Sequence, residues 1–230
     1  MTDRRFERRA TLALVAILVA APLHAGKKEQ RKVLSAKYVY EEVFRDQQRK
    51  LPANLLERTR CLAIVPDVVE AAFVFGGSHG KGVVSCRDEE GSWSPPMFLK
   101  VSEGSFGLQV GYDTADILLF FVSENGAKSL LRPRFSLGGE VSVAAGPASR
   151  QAGVTSDVEL NADVYIYAQA RGLFIGASVE GTRLAISRKA SRRYYGKNLW
   201  PEEVLFYQSV PELPPGCREF VEGLEALPWE

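Results

Sequence analysis

Few residues in this sequence are equipped for chemistry. It holds 2 histidines in 230 residues. His24 falls in an N-terminal leader pattern, so His79 is the imidazole left to act as a general base. It sits in Gly76-Gly77-Ser78-His79-Gly80-Lys81-Gly82, beside a serine. A hydrolase must hold that base against a nucleophile and charge-stabilising donors, whereas so glycine-rich a stretch reads as a solvated hairpin tip. Nor do the glycines make a phosphate loop. Such a loop opens a helix, and this one runs into Val83-Val84-Ser85, a strand pattern. Asp113 and Asp116 are the candidate acid pair for glycoside hydrolysis, which sets two carboxylates about 5 to 9 Å apart across a cleft. Here they flank a tight turn into a strand, a place where aspartate serves turn geometry. No catalytic residue is assigned, and no cofactor is expected.

Cys61, Cys86 and Cys217 are spaced by 25 and 131 positions, which fits no zinc motif, and a single histidine remains beside them. No metal site is expected. In an oxidising compartment two of the three cysteines are free to pair. Export is indicated by the N-terminus itself. Arg4, Arg5, Arg8 and Arg9 precede an apolar run over residues 10–21, and Pro22-Leu23-His24-Ala25 ends on a small residue. The run is too short to span a bilayer, which takes about 20 residues. Residues 1–25 therefore read as a cleaved signal peptide, with Gly26 as the mature N-terminus. Arg8-Arg9 ahead of Leu12 weakly resembles a twin-arginine signal. No cysteine stands at the cleavage point, so the product is expected soluble in the periplasm or outside the cell, not a lipoprotein.

The charges are nearly balanced overall, 29 Lys and Arg against 28 Asp and Glu, but unevenly spread. Residues 26–60 carry 10 basic and 5 acidic residues, which leaves the remainder net acidic. Lys27, Lys28, Arg31, Lys32 and Lys37 concentrate this charge, with Glu29 as the one acid among them. A basic arm on a mildly acidic body points to an anionic partner. The exported location argues against nucleic acid.

The elements that must position these residues follow from periodicity. Residues 33–48 form a helix, with Leu34, Tyr38, Val39, Val43 and Phe44 as its apolar stripe. Pro52 opens a short second helix through Leu55 and Leu56. Short strands then follow at 61–65, stopping at Pro66, and at 68–75, 82–87, 97–101, 106–110 and 115–122. A helical interruption occupies 124–131. Strands resume at 140–145, 164–170, 173–179 and 182–187, and a helical tail from Pro201 carries Phe220, Val221, Leu224 and Leu227 inward. Such short, regularly punctuated strands indicate an antiparallel meander. Glycines within them, Gly107, Gly111, Gly172, Gly176 and Gly181, suit the curvature of a barrel. The fold class is α+β: an antiparallel, barrel-like sheet with N-terminal helices, one inserted helix and a C-terminal helical tail. Residues 26–230 form one domain.

The order of motifs is itself informative. Leu51-Pro52 with Leu55-Leu56 leads to Cys61-Leu62-Ala63-Ile64-Val65-Pro66. Gly76-Gly77, Gly80-Lys81-Gly82-Val83-Val84, Trp93-Ser94 with Pro96, and Gly107-Leu108-Gln109-Val110-Gly111 with Asp116 follow. Gly138-Gly139, Ala144-Ala145-Gly146-Pro147 with Arg150, Tyr167, Gly172-Leu173-Phe174, Gly176, Gly181 and Tyr195-Gly196 complete the series. From about residue 34 to 196 the chain resembles the SYLF domain, a lipid-binding family of membrane-trafficking and actin-patch proteins and of exported bacterial proteins. It departs at Ser149, where the family carries a second glycine before the arginine. The resemblance implies a barrel-like α+β fold without a catalytic centre, and lipid binding assisted by a basic amphipathic N-terminal segment. Some eukaryotic relatives also bind actin. Outside a bacterial inner membrane the ligand expected is a general anionic phospholipid; protein partners are unknown. The resemblance also implies a disulfide between Cys61 and Cys86. Two rivals stand beside this reading: an envelope module that binds protein instead of lipid, and a hydrolase using His79.

Overall fold

The structure, a computed structural model, describes residues 26–45, 51–69, 78–102, 107–108, 114–146, 160–170, 173–175, 177–178 and 181–229. The leader expected over residues 1–25 lies outside them. So do Asp113, Gly76-Gly77, Ser149 and Arg150.

The core is built on strands that are apolar on both faces. In β1 (Cys61–Val69) every residue from Cys61 to Val65 is fully buried. In β5 (Thr114–Phe121) the same is true from Ile117 to Phe121. Strands with no polar face belong at the centre of a sheet covered on both sides. β1 accordingly lies between β5 and β2 (Ser78–Cys86). The full order is β6 (Phe135–Ser136), β11 (Arg183–Ile186), β3 (Met97–Ser102), β2, β1, β5, β8 (Val164–Ala170) and β7 (Val143–Ala145). β9 (Leu173–Ile175) turns back on β8, and β4 (Gly107–Leu108) pairs separately with β10 (Ala177–Ser178).

This order forces curvature. Eight strands laid flat span about 33 Å at 4.7–4.9 Å per gap. The edge strands β6 and β7 are nevertheless joined only by residues 137–142, which reach at most about 24 Å. The sheet therefore curls into a half-barrel. Phe121 of β5 meets Phe135 of β6 across its inside, ring centroids 6.4 Å apart. Asp163 holds the far side: its carboxylate accepts from Ser142 N at 3.0 Å, Ser142 Oγ at 2.6 Å and Asn125 Nδ2 at 3.3 Å. That ties β7 and β8 to α3 (Glu124–Ser129), the expected inserted helix, whose Gly126 amide is capped by Ser123 Oγ at 2.9 Å.

Three details differ from the sequence reading. The β7–β8 pair is parallel, so the sheet is not wholly antiparallel. β1 also does not stop at Pro66. It continues to Val69 through a register shift between Val65 and Val68, with Asp67 at φ 58. A bulge needs no ladder hydrogen bond from the proline, so the strand passes through it. The third is a helix with no counterpart in that reading, α4 (Arg188–Tyr195). It ends at Gly196, whose φ of 71 is left-handed.

The outer helices close one face. α1 (Lys27–Arg45) packs across β1 and β2, with α4 on one flank and α6 (Cys217–Glu225) on the other. Tyr40 locks α1 to α6: its hydroxyl donates to Phe220 O at 2.8 Å and its ring meets Phe220 edge-on at 5.5 Å. Gly223 permits this, because a Cβ there would stand 2.3 Å from Tyr40 Oη. α2 (Ala53–Arg58) follows Pro52 as expected. The tail is α5 (Pro201–Leu205) and α6, with Phe220 and Leu224 buried and Val221 and Leu227 only half-buried.

Candidate functional site

The basic residues read from the sequence all lie on α1, which begins at Lys27, six positions before the expected start. At about 100° per residue, its buried Val33, Ala36, Val39, Tyr40 and Val43 share one arc of the helix. The opposite arc holds Lys27, Arg31, Tyr38, Glu42 and Arg45, with Lys28 at its edge toward the buried arc, all exposed. Tyr38 is 67% exposed, so it does not belong to the buried stripe that the periodicity assigned to it. Phe44 does pack, on Trp229 at 5.2 Å, and Leu34 is half-buried beside Gly216.

The five cations divide into two groups. Lys27, Lys28 and Arg31 are exposed and make no ion pair among the described residues. Lys32 lies 3.8 Å from Asp67, and Lys37 Nζ donates to Glu41 at 2.6 Å. Those two charges are locally compensated.

The structure adds cations that the charge run did not reveal. α4 exposes Arg188, Lys189, Arg192 and Arg193, paired at i,i+4 spacing along one face. That spacing was the available signal. α4 docks by its other face: Ser191 Oγ accepts from Phe98 N at 3.1 Å, and Tyr195 Oη donates to Pro96 O at 2.8 Å. Glu29 joins α4 to α1. Only 4% exposed, its carboxylate accepts from Arg193 Nε at 2.7 Å and also from Nη2. Between α1, α4 and the strands β2 and β3 is a cavity of about 260 Å³. Lys28, Lys32, Lys81, Lys100, Lys189 and Arg193 line it.

A second cavity, of about 530 Å³, has the opposite sign, with Glu57, Asp88, Glu89 and Glu90 around Arg87 and Trp229. It lies toward the C-terminal end of α1, where Phe44 meets Trp229. The cationic cavity lies toward the N-terminal end. Along α1, Lys28 and Lys32 stand about 18–24 Å from Phe44 at 1.5 Å per residue. The domain is thus electrically polarised along α1.

The catalytic candidates do not converge. The backbone of His79 is in β2, not at a hairpin tip; its side chain lies outside the described residues. Asp116 accepts from Asp67 N at 2.9 Å, which holds the β1 bulge. Burial pushes its carboxyl above the ordinary range. Its expected partner, Asp113, is outside the described residues. Cys217 is buried and unpaired, and burial pushes its thiol up to about 11, far from a reactive thiolate. Among the described residues no group of three or more His, Cys, Asp or Glu is placed to hold a metal ion, and no helix is long and apolar enough to cross a membrane. Cys61 and Cys86 face each other in the β1–β2 ladder and are joined by a disulfide.

Comparisons with known proteins bear on what such a surface serves. Residues 102–227 match the sequence model of the family described as Las17-binding protein actin regulator, Ysc84. Over 207 residues the chain is 31% identical to LAS seventeen-binding protein 3 of Saccharomyces cerevisiae, covering 89% of this chain and 44% of that protein. Protein YSC84 of the same yeast is 32% identical over 207 residues, at 89% and 43% coverage. The SH3 domain-containing YSC84-like protein 1 of Mus musculus is 27% identical over 178 residues, at 77% and 52%. The chain spans about half the length of these relatives.

Proposed function

The chain belongs to the Las17-binding protein actin regulator (Ysc84, SYLF) family, and from that premise we propose that it is an exported, non-enzymatic domain that binds anionic phospholipid surfaces peripherally. The observation that carries this reading is the outer arc of α1. Lys27, Lys28 and Arg31 make no ion pair among the described residues and stand beside Tyr38, an exposed aromatic suited to the headgroup layer. Each unpaired cation near an anionic surface contributes about 1 kcal/mol, fading within a Debye length. The three on α1, with Lys189 and Arg192 beside them, supply about 5 kcal/mol, enough for reversible attachment. The acidic cavity at the other end of α1 turns that end away from the surface and sets the orientation.

The Cys61–Cys86 disulfide favours the exported location, since such bonds persist in oxidising compartments. N-terminal mass analysis of the exported protein should find Gly26 first; a product retaining Arg4 and Arg5 would exclude cleavage. Binding is tested by co-sedimentation with phosphatidylcholine vesicles, with and without phosphatidylglycerol. The parent should bind only the anionic vesicles, and lose them steeply as salt rises. Replacing Lys27, Lys28, Arg31 and Lys32 by glutamine should abolish most binding and leave the thermal midpoint nearly unchanged. A variant that binds as well as the parent would place the lipid site elsewhere.

The family's description and the names of the yeast relatives favour a second reading, docking on a protein partner. Vesicle binding indifferent to lipid charge would move the assignment there. A His79→Ala protein that lost a biological activity while binding vesicles normally would restore the hydrolase reading.

A further inference from the structure

The cavity between α1 and α4 is built differently from the outer arc. Lys81 and Lys100 are direct partners in the β2–β3 ladder, and both line it. Like charges placed directly opposite on one sheet face destabilise the pair. Neither finds a carboxylate among the described residues. The one acid on the lining, Glu29, is occupied with Arg193, so it fixes that guanidinium at the rim without neutralising the lysines. Both side chains are exposed, so the repulsion is modest, and an anion between them relieves it.

Two further features point into the same space. Ser187 lines the cavity and is 6% exposed, which places a hydroxyl on its wall. Ser187 also stands at the N-cap of α4 without capping it, so the first-turn amides, those of Lys189 and Ala190 among them, keep their donors. The remaining wall is apolar, formed by Phe98, Leu99 and Ala190.

We propose that this cavity seats a single phosphate monoester, its oxygens among Lys81, Lys100, Lys28 and the Ser187 hydroxyl and its ester carbons against Phe98 and Leu99. The proposal deepens the membrane reading by giving the polarised end a headgroup preference. A monoester carries about −1.5 to −2 charges and three free oxygens near neutral pH. Three lysines drawn from α1, β2 and β3 match that charge better than they match the single charge of a phosphodiester. The cavity volume, about 260 Å³, suits a phosphate with a short ester and a few waters. The monoester is either a lipid headgroup or a soluble ester, and the two sources are separable.

The experiment compares phosphatidylcholine vesicles carrying phosphatidic acid, a monoester, with vesicles of equal surface charge carrying phosphatidylglycerol, a diester. The parent should bind the former about tenfold more tightly. Lys81→Gln with Lys100→Gln should erase the preference and keep phosphatidylglycerol binding. This pair relieves a like-charge contact, so its thermal midpoint should not fall. Lys27→Gln with Arg31→Gln should weaken both vesicles alike and keep the preference. In parallel, glycerol 3-phosphate and inorganic phosphate are tested as ligands that raise the thermal midpoint. If no vesicle binds but these raise the parent's midpoint and not that of the Lys81/Lys100 variant, the membrane reading falls and the site stands with a soluble ligand. The proposal is overturned if the Lys81/Lys100 variant keeps the preference. It is equally overturned if the parent neither distinguishes the vesicles nor responds to the soluble phosphates.

Discussion

Removing the Cys61–Cys86 bond leaves β1 and β2 paired through their backbones and acts almost wholly on the unfolded chain. The two residues are register partners at the centre of the sheet, both fully buried, and 25 positions apart. Freeing a loop of that length restores about 3.5 kcal/mol of unfolded-state entropy at 25 °C. For a domain of this size each kcal/mol moves the thermal midpoint by about 2–4 °C, so the loss should be about 7–14 °C. Reduction alone keeps both sulfur atoms in place as small buried hydrophobes and should fall at the near end of that range. Cys61→Ala with Cys86→Ala also vacates their volume and should fall at the far end. Calorimetry of residues 26–230, with and without reductant, reads both. The reductant should leave the double variant unmoved. A parent midpoint that shifts by less than about 2 °C, or two alkylatable thiols at Cys61 and Cys86 in the unreduced protein, would refute the reasoning.

Cys217 should resist alkylation in the folded protein at about pH 8 and react once unfolded, because burial holds its thiol at about 11 against an ordinary 9.0. The same shift makes stability pH-dependent: below 9.0 the thiol is protonated in both states, and between 9.0 and about 11 only the unfolded chain releases its proton. The midpoint should therefore fall as pH rises through that window. Buried Tyr40 and Tyr194, raised in the same direction by burial, extend the fall to higher pH. A midpoint that stays level or rises there would contradict the burial of this group.

Much of the architecture was legible in the sequence because the interactions responsible are local or continuous along the chain. The run from Cys61 to Val65 and that from Ile117 to Phe121 have no polar face, and a central strand is where such segments belong. The cations of α1 were visible as a run, and the order of motifs carried the family. The rest depended on residues distant in sequence. Periodicity put Tyr38 in the core; the fold chose Tyr40, whose hydroxyl finds Phe220 O 180 residues away and whose space is kept by Gly223. Two tyrosines two positions apart differ little in local propensity, so only the partner decides between them. Pro66 reads as a strand end until β5 supplies a register shift that accommodates it. α4 was missed because Arg188–Tyr195 has few apolar residues to show a stripe, and its burial rests on Ser191 and two tyrosines docking on β3. The cationic cavity draws Lys28, Lys81, Lys100 and Lys189 from four elements. Spacing along the chain contains nothing of their proximity; the β2–β3 register and the Glu29–Arg193 pair create it.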